Sequence, residues 1–275
     1  MAKMRIQKLL SEAGVASRRA VEEMVLEARI TVNDEPVTAL PCFVDPQEDH
    51  IRVDGKPVRR RPSQHVYFLL NKPRGTVCTQ SDPEGRRLAM QLVPEIPGTR
   101  VYCVGRLDVE STGLVLLTND GDLTQYLTHP KYGVPKTYVV EVRGTVTPEQ
   151  LAASRRGSHV AGHRSGAAAI KFVRQAGEHS LLEVTLAEGR SQDIHEVLRV
   201  LGIRIHRLRR VAIGPITDRH LEIGSFRPLE PFEVTKLRHC GKLPFGADGH
   251  GKPGARKHRD RTSGKRKTGG KDERG

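Results

Sequence analysis

Apolar residues recur at helical spacing twice near the N-terminus. Ile6, Leu9, Leu10 and Ala13 form one stripe, closed by Gly14 where a helix C-cap belongs. Val21, Met24, Val25 and Ala28 form a second, behind Ser17, a residue type that caps helix N-termini. Two short helices are predicted, and turning these stripes inward leaves Arg5, Lys8, Arg18 and Arg19 outside. The pattern then changes to strands. Residues 29–32 read as a strand, Asn33-Asp34-Glu35 as a polar turn, and 51–53 with 56–58 as a hairpin about Asp54-Gly55.

A short basic linker, Arg59-Arg60-Arg61-Pro62-Ser63, separates this module from a longer one. Extended segments are predicted there at 66–70, 75–79, 101–104, 114–118, 137–142, 180–186 and 206–213. Helices are predicted at 88–93, 123–128, 148–153 and 192–201, with Thr147 and Pro148 placed as cap and first position of the third. Strands outnumber helices and do not alternate regularly with them. The expected class is α+β, with a mixed, mainly antiparallel sheet rather than a doubly wound one. Domains are expected at 3–62 and 63–240, followed by a tail at 241–275.

Composition adds a partner. The chain has 275 residues and a formal charge of +14, an excess that usually serves a polyanion such as nucleic acid. The charge is uneven: residues 1–62 hold eleven Lys/Arg against ten Asp/Glu, whereas 241–275 hold eleven against four. With few apolar residues, that last segment is expected to be disordered. The longest apolar runs, 66–70 and 114–117, are far below the ~20 residues of a membrane span. With no secretory signal in the first residues, a cytoplasmic protein without a membrane partner is expected. Four widely spaced cysteines suggest free buried thiols, neither a disulfide framework nor a zinc site. His159 and His163 have metal-binding spacing but no nearby carboxylate or thiol, so no metal and no cofactor are expected. The run Gly246 to Lys252 has P-loop spacing, but Pro253 follows and no strand precedes it, which rules that motif out.

The candidate chemistry lies in residues 105–121. Asp108 follows Arg106, precedes a small-polar turn, and is mounted ahead of an apolar strand that Asn119-Asp120-Gly121 stops. An aspartate in a Gly-flanked loop commonly just forms the turn. No second carboxylate, serine elbow or cofactor fingerprint accompanies it. A lone carboxylate is a poor base, yet in a dry pocket it can be a nucleophile and then a leaving group.

Two resemblances extend this picture. Arg5-Ile6-Gln7-Lys8-Leu9-Leu10, Gly14, Ser17-Arg18-Arg19 and Ile30 to Asn33 resemble an S4 domain, a small RNA-binding module. That likeness implies RNA contacts from Arg5, Lys8, Ser17, Arg18, Arg19 and Asn33. Gly105-Arg106-Leu107-Asp108, continued by Gly113-Leu114 and Thr118 to Gly121, resembles the signature of RsuA/RluB-type ribosomal RNA pseudouridine synthases. Lys72-Pro73-Arg74-Gly75, Leu127 to Pro130, Lys136-Thr137-Tyr138, Glu188-Gly189-Arg190 and Leu208 to Pro215 match further blocks in order.

The resemblance implies a cofactor-free isomerisation of uridine within ribosomal RNA or a pre-ribosomal particle, carried out by a monomer. The target uridine is flipped out at a cost of a few kcal/mol. Asp108 would attack the nucleoside at C6 or C1′, the glycosidic bond would break, and the base would rejoin through C5. Tyr138 would stack on the base, a contact worth roughly 1–3 kcal/mol, while Lys72 and Arg106 would hold the RNA. After Arg190 the family continues Asn-Arg-Gln-Ile/Val-Arg-Arg, but this chain has Ser191-Gln192-Asp193-Ile194-His195-Glu196. The cation expected beside Asp108 is therefore Arg190, His195 or Arg199. Overall length and basic tail look like the large-subunit (23S) type. A small-subunit (16S) enzyme and a non-catalytic ribosome-assembly protein are the alternatives. Deleting residues 246–275 should weaken RNA binding and flatten its salt dependence, because phosphate contacts are lost. Identical salt slopes for the full and shortened chains would contradict this.

Overall fold

A computed structural model describes residues 3–58, 64–155, 159–160, 163–164, 169–186 and 191–245. In the N-terminal module, α1 (Ile6–Glu12) and α2 (Arg18–Leu26) form where the apolar stripes predict. Ser17 Oγ accepts the Ala20 N–H at 3.1 Å, and Gly14 takes φ +77° after α1. Strand β1 (Ile30–Val32) pairs with β2 (Glu35–Pro36) and β3 (Ile51–Val53), and β3 pairs with β4 (Lys56–Pro57). Ile6, Leu10, Val21, Val25 and Ile30 make a core of their own. Lys8 Nζ reaches Asp122 Oδ1 of the second module at 3.0 Å, tying the two together.

The second module is built on one sheet. Its strands are β5 (Tyr67–Lys72), β6 (Tyr102–Val104), β7 (Thr112–Thr118), β8 (Lys136–Arg143), β9 (Ala169–Ala176), β10 (His179–Leu186), β11 (Ile205–Ile213), β12 (Ile216–Thr217) and β13 (Phe226–Pro228). The order is β9-β10-β8-β11-β7-β5-β13, with β12 on β11 and β6 on β7. Every pairing is antiparallel except β7 with β11. Alternation along β7 sends Leu114 and Leu116 to one face and Val115 and Leu117 to the other. One face is covered by α3 (Gly121–Thr128) and α6 (Pro231–Leu237), through Leu123, Leu127, Val234 and Leu237. Leu151 of α4 (Pro148–Arg155) and Ile194, Val197 and Leu198 of α5 (Ser191–Val200) close the other. Asp120 ends β7 and caps α3, accepting the Leu123 N–H at 2.9 Å and the Tyr67 hydroxyl at 2.8 Å.

The mixed, mainly antiparallel sheet is as expected, with local departures. Residues 75–79 are not a strand. Gly75 turns the chain at φ +77° and Lys72 takes the Thr76 carbonyl, so only an isolated bridge, Val77 to Leu88, remains. The helix expected at 88–93 is a short 3-10 turn, Ala89–Leu92, halted before Pro94. The strands β9 and β13 and the helix α6 were not expected. The first is a mostly exposed edge that lacks a clean apolar alternation. The tail does not begin at Gly241 as expected: Gly241 donates its N–H to Tyr126 Oη at 2.9 Å, and Phe245 packs edge-on against the Tyr126 ring. Residues 246–275 lie outside the described residues. The four cysteines are free, as expected, but half-buried rather than buried. Among the described residues no helix is long and apolar enough to cross a membrane.

Where β7 meets β11, Gly113 lies opposite Arg210 on one side and Lys72 on the other. Its φ is +106°, and a Cβ there would sit 2.2 Å from the Arg210 carbonyl oxygen. Gly113→Ala is expected to destabilise the protein by about 2–4 kcal/mol through clash and backbone strain. Differential scanning calorimetry should show a Tm lowered by roughly 5–15 °C; an unchanged Tm would contradict the close approach.

Candidate active site

Parallel pairing decides which loops meet. Because β7 and β11 run in the same direction, the segments that lead into them converge at one end of the sheet. Asp108 lies in the loop before β7, and α5 leads into β11. The loop is pinned: the Gly75 N–H donates to the Val109 carbonyl at 2.9 Å, and the Ser111 N–H to the Asp108 carbonyl at 3.1 Å. The outcome is that His195 Nε2 stands 3.8 Å from Asp108 Oδ2. Both side chains remain reachable, at 49% and 35% exposure. They line a cleft of about 1190 Å³ together with Arg74, Glu141 and Arg209. That is larger than the ~300–1,000 Å³ of typical small-ligand pockets and suits a nucleotide with its neighbours.

Behind the loop are two buried cations. Lys72, with no exposure, donates from Nζ to the carbonyls of Pro73 at 3.1 Å and Thr76 at 2.8 Å. Burial pulls its pKa below the ordinary lysine value, while nearby Cys78 and Asp108 oppose that shift. Arg210, 3% exposed, donates from Nε to the Leu114 carbonyl, and its Nη2 has no hydrogen-bond partner among the described residues. Across the sheet Lys72, Gly113, Arg210 and Tyr138 stand in one row. The missing side chain at Gly113 is what lets the Arg210 backbone approach it in that row.

The other expected site residues divide. Arg106 is exposed and shares a second opening with Asp108. Tyr138 is 1% exposed and packed in the same core as Leu107 and Ile194, so its ring offers no open face for stacking. Arg190 lies outside the described residues, as do the side chains of His159 and His163. Arg199 is paired with Glu196 at 2.6 Å, one turn along α5. Of the three cations weighed for Asp108, His195 is the one among the described residues that faces it. Lys72 is not placed to touch RNA, because it is wholly enclosed. Lys8 also departs from expectation: Glu12 at 3.5 Å and Asp122 at 3.0 Å already balance its charge. The Ser17 hydroxyl is spent on its helix cap, and the Asn33 amide clamps Asp49 and the His50 N–H, each at 2.9 Å. Arg18 and Arg19 are exposed, and Arg5 lies over the Phe43 ring at 6.0 Å. Arg210 was not singled out beforehand; its burial follows from a strand pairing that no local pattern reveals.

Residues 66–199 match the family model for RNA pseudouridylate synthase, and residues 4–40 that for the S4 domain. An RNA pseudouridine synthase of Aquifex aeolicus (strain VF5) is 41% identical over 86% of this chain and 94% of its own length. The ribosomal large subunit pseudouridine synthase B of Bacillus subtilis (strain 168) is 37% identical over 85% and 95%. This chain belongs to the RNA pseudouridine synthase family. A crystal structure of a pseudouridylate synthase agrees, with a TM-score of 0.61 at 29% identity over 85% of this chain and 99% of that one. In this pseudouridine synthase the matched segment 66–199 carries both Asp108 and His195.

Proposed function

We propose that this synthase isomerises uridine in large-subunit ribosomal RNA, with Asp108 as nucleophile and His195 as its cationic partner. The observation that carries the assignment is the Asp108–His195 pair facing each other across an open cleft. The large-subunit target rests on the relatives that bear that name. The reaction is expected to run in the cytoplasm with one chain per RNA. The S4 module offers Arg18, Arg19 and Arg5 to the phosphate backbone, which positions the RNA without reading its sequence.

Chemically, Asp108 forms a transient bond to the flipped nucleoside at C6 or C1′, and the N1–C1′ bond breaks. The base turns, C5 joins C1′, and the C5 proton leaves. His195 holds the carboxylate aimed at the nucleoside and limits its swing toward the solvent. Lys72 holds positive charge behind the loop, within electrostatic reach of Asp108. Tyr138 lies under this loop in the core. For its ring to stack on a base, the Leu107–Asp108 segment must lift when RNA binds.

Replacing Asp108 by Asn keeps the shape and removes the nucleophile. Asp108→Asn is expected to lower pseudouridine formation in ribosomal RNA by at least about 10³-fold, while RNA affinity stays within roughly twofold. Pseudouridine mapping and a filter-binding titration on the same preparation measure both. Undiminished modification would remove the mechanism. Full RNA binding with no modification by the unaltered protein would favour a ribosome-assembly role instead.

A further inference from the structure

Three metal-ligating side chains that the isomerisation does not use converge beside the cleft. Glu141 lies on β8, His179 opens β10 and His206 lies on β11, and β8 runs between the other two strands. Residues distant in the chain are thereby set side by side, which no local spacing reveals. Alternation along β8 turns Glu141 away from the buried Val140 and Val142, and along β10 it turns His179 away from the buried Ser180. His206 reaches the same side by another route. Glu141 lies opposite Arg207 and Val142 opposite Ile205, so His206 is the extra residue of a β-bulge, with no register partner on β8. Bulges re-aim side chains in this way. His206 and Arg207 are accordingly exposed in succession, ahead of the buried Leu208.

The ligand atoms of the three side chains lie within 4.8 Å of one another. His179 Nδ1 is 3.9 Å from Glu141 Oε1, and the rings of His179 and His206 are 4.8 Å apart at 34°. Around a tetrahedral zinc ion, with bonds of about 2.0–2.1 Å, donor atoms stand roughly 3.3 Å apart. The remaining distance of about 1 Å is within reach of side-chain rotation at partly exposed positions. Two imidazoles and one carboxylate suit zinc and its first-row neighbours; magnesium and calcium take oxygen donors. One group competes for the carboxylate. Arg207 Nε is 3.9 Å from Glu141 Oε2, but at 77% exposure Arg207 is free to swing aside.

We propose that Glu141, His179 and His206 form a binding site for one divalent transition-metal ion of the zinc class. The site stands on this geometry alone; its consequence for RNA rests on the proposed function. The ion takes one carboxylate oxygen and one nitrogen from each imidazole, bound in the neutral form. Three protein donors leave a tetrahedral ion one open position. Glu141 and His206 line the cleft that holds Asp108, so that position is accessible from it. Without metal, this part of the wall presents a carboxylate to an incoming polyanion. With a divalent ion bound, the three side chains and the ion carry a net positive charge, and the open position accepts a phosphate oxygen. Metal binding thereby tightens the grip on RNA at the cleft.

Untagged full-length protein, stripped with a chelator, is to be titrated with zinc chloride in phosphate-free buffer by isothermal titration calorimetry. Glu141→Gln, His179→Gln and His206→Gln should each weaken zinc binding at least about tenfold, since even groups that only support a ligand cost that much. His50→Gln, in the first module, should leave it unchanged. Cobalt(II) in place of zinc should give the visible absorption of a low-coordinate ion, lost in His206→Gln. Absence of binding, binding that the three substitutions leave intact, or equal weakening by His50→Gln would overturn the site, whether or not the enzyme is active. Filter binding of a ribosomal RNA fragment, with and without one equivalent of zinc, reads the consequence. Zinc should raise the RNA affinity of the native protein at least about threefold, and leave that of His206→Gln unchanged. Equal RNA affinities with zinc bound and absent would overturn the link to RNA while the metal site stands.

Discussion

The architecture depends on one close approach, Gly113 against the backbone of Arg210. It joins β7 to β11, the sheet's one parallel pairing among the described residues, and so unites two antiparallel halves. A side chain at position 113 would meet the Arg210 carbonyl at 2.2 Å. The parallel direction has a functional consequence. It brings the loop before one strand beside the helix before the other, and so sets Asp108 opposite His195. Antiparallel pairing at this seam would send those two segments to opposite ends of the sheet.

The same seam shapes the electrostatics. Lys72 and Arg210 flank Gly113 across the sheet, and both are removed from water. Such charges are costly to bury unless answered nearby. The Asp108 carboxylate lies within electrostatic reach of Lys72 and answers its charge in part. His195 differs in kind, because it stands half-exposed at the cleft and carries charge only when protonated.

Much of this was legible in the chain before the structure. The stripe from Ile6 to Ala13, the cap at Ser17 and the alternation in β7 each follow from local periodicity, so their elements appear where expected. The block around Asp108 identified the family. What stayed hidden needed contacts distant in sequence. Tyr138 reads as a base-stacking ring, yet its pairing with Val184 and Arg210 puts it in the core. Lys8 and Asn33 read as RNA contacts, yet Asp122 and Asp49 engage them. Among Arg190, His195 and Arg199, spacing alone gave no choice. The choice of His195 required knowing that β7 and β11 are neighbours.

The central claim is that His195 holds the nucleophile in place, and its most direct measurement is single-turnover pseudouridine formation in His195 variants. Charged groups that line the same cleft include Glu196, Arg199, Arg74, Glu110 and Arg209. Of these, Glu196 pairs with Arg199, Glu110 with Arg74 and Arg209 with Asp218. His195→Ala should slow turnover while RNA affinity is kept, and His195→Arg should restore much of the rate, because arginine places a cation at the same position. A rate in His195→Ala equal to that of the native protein would contradict the pairing.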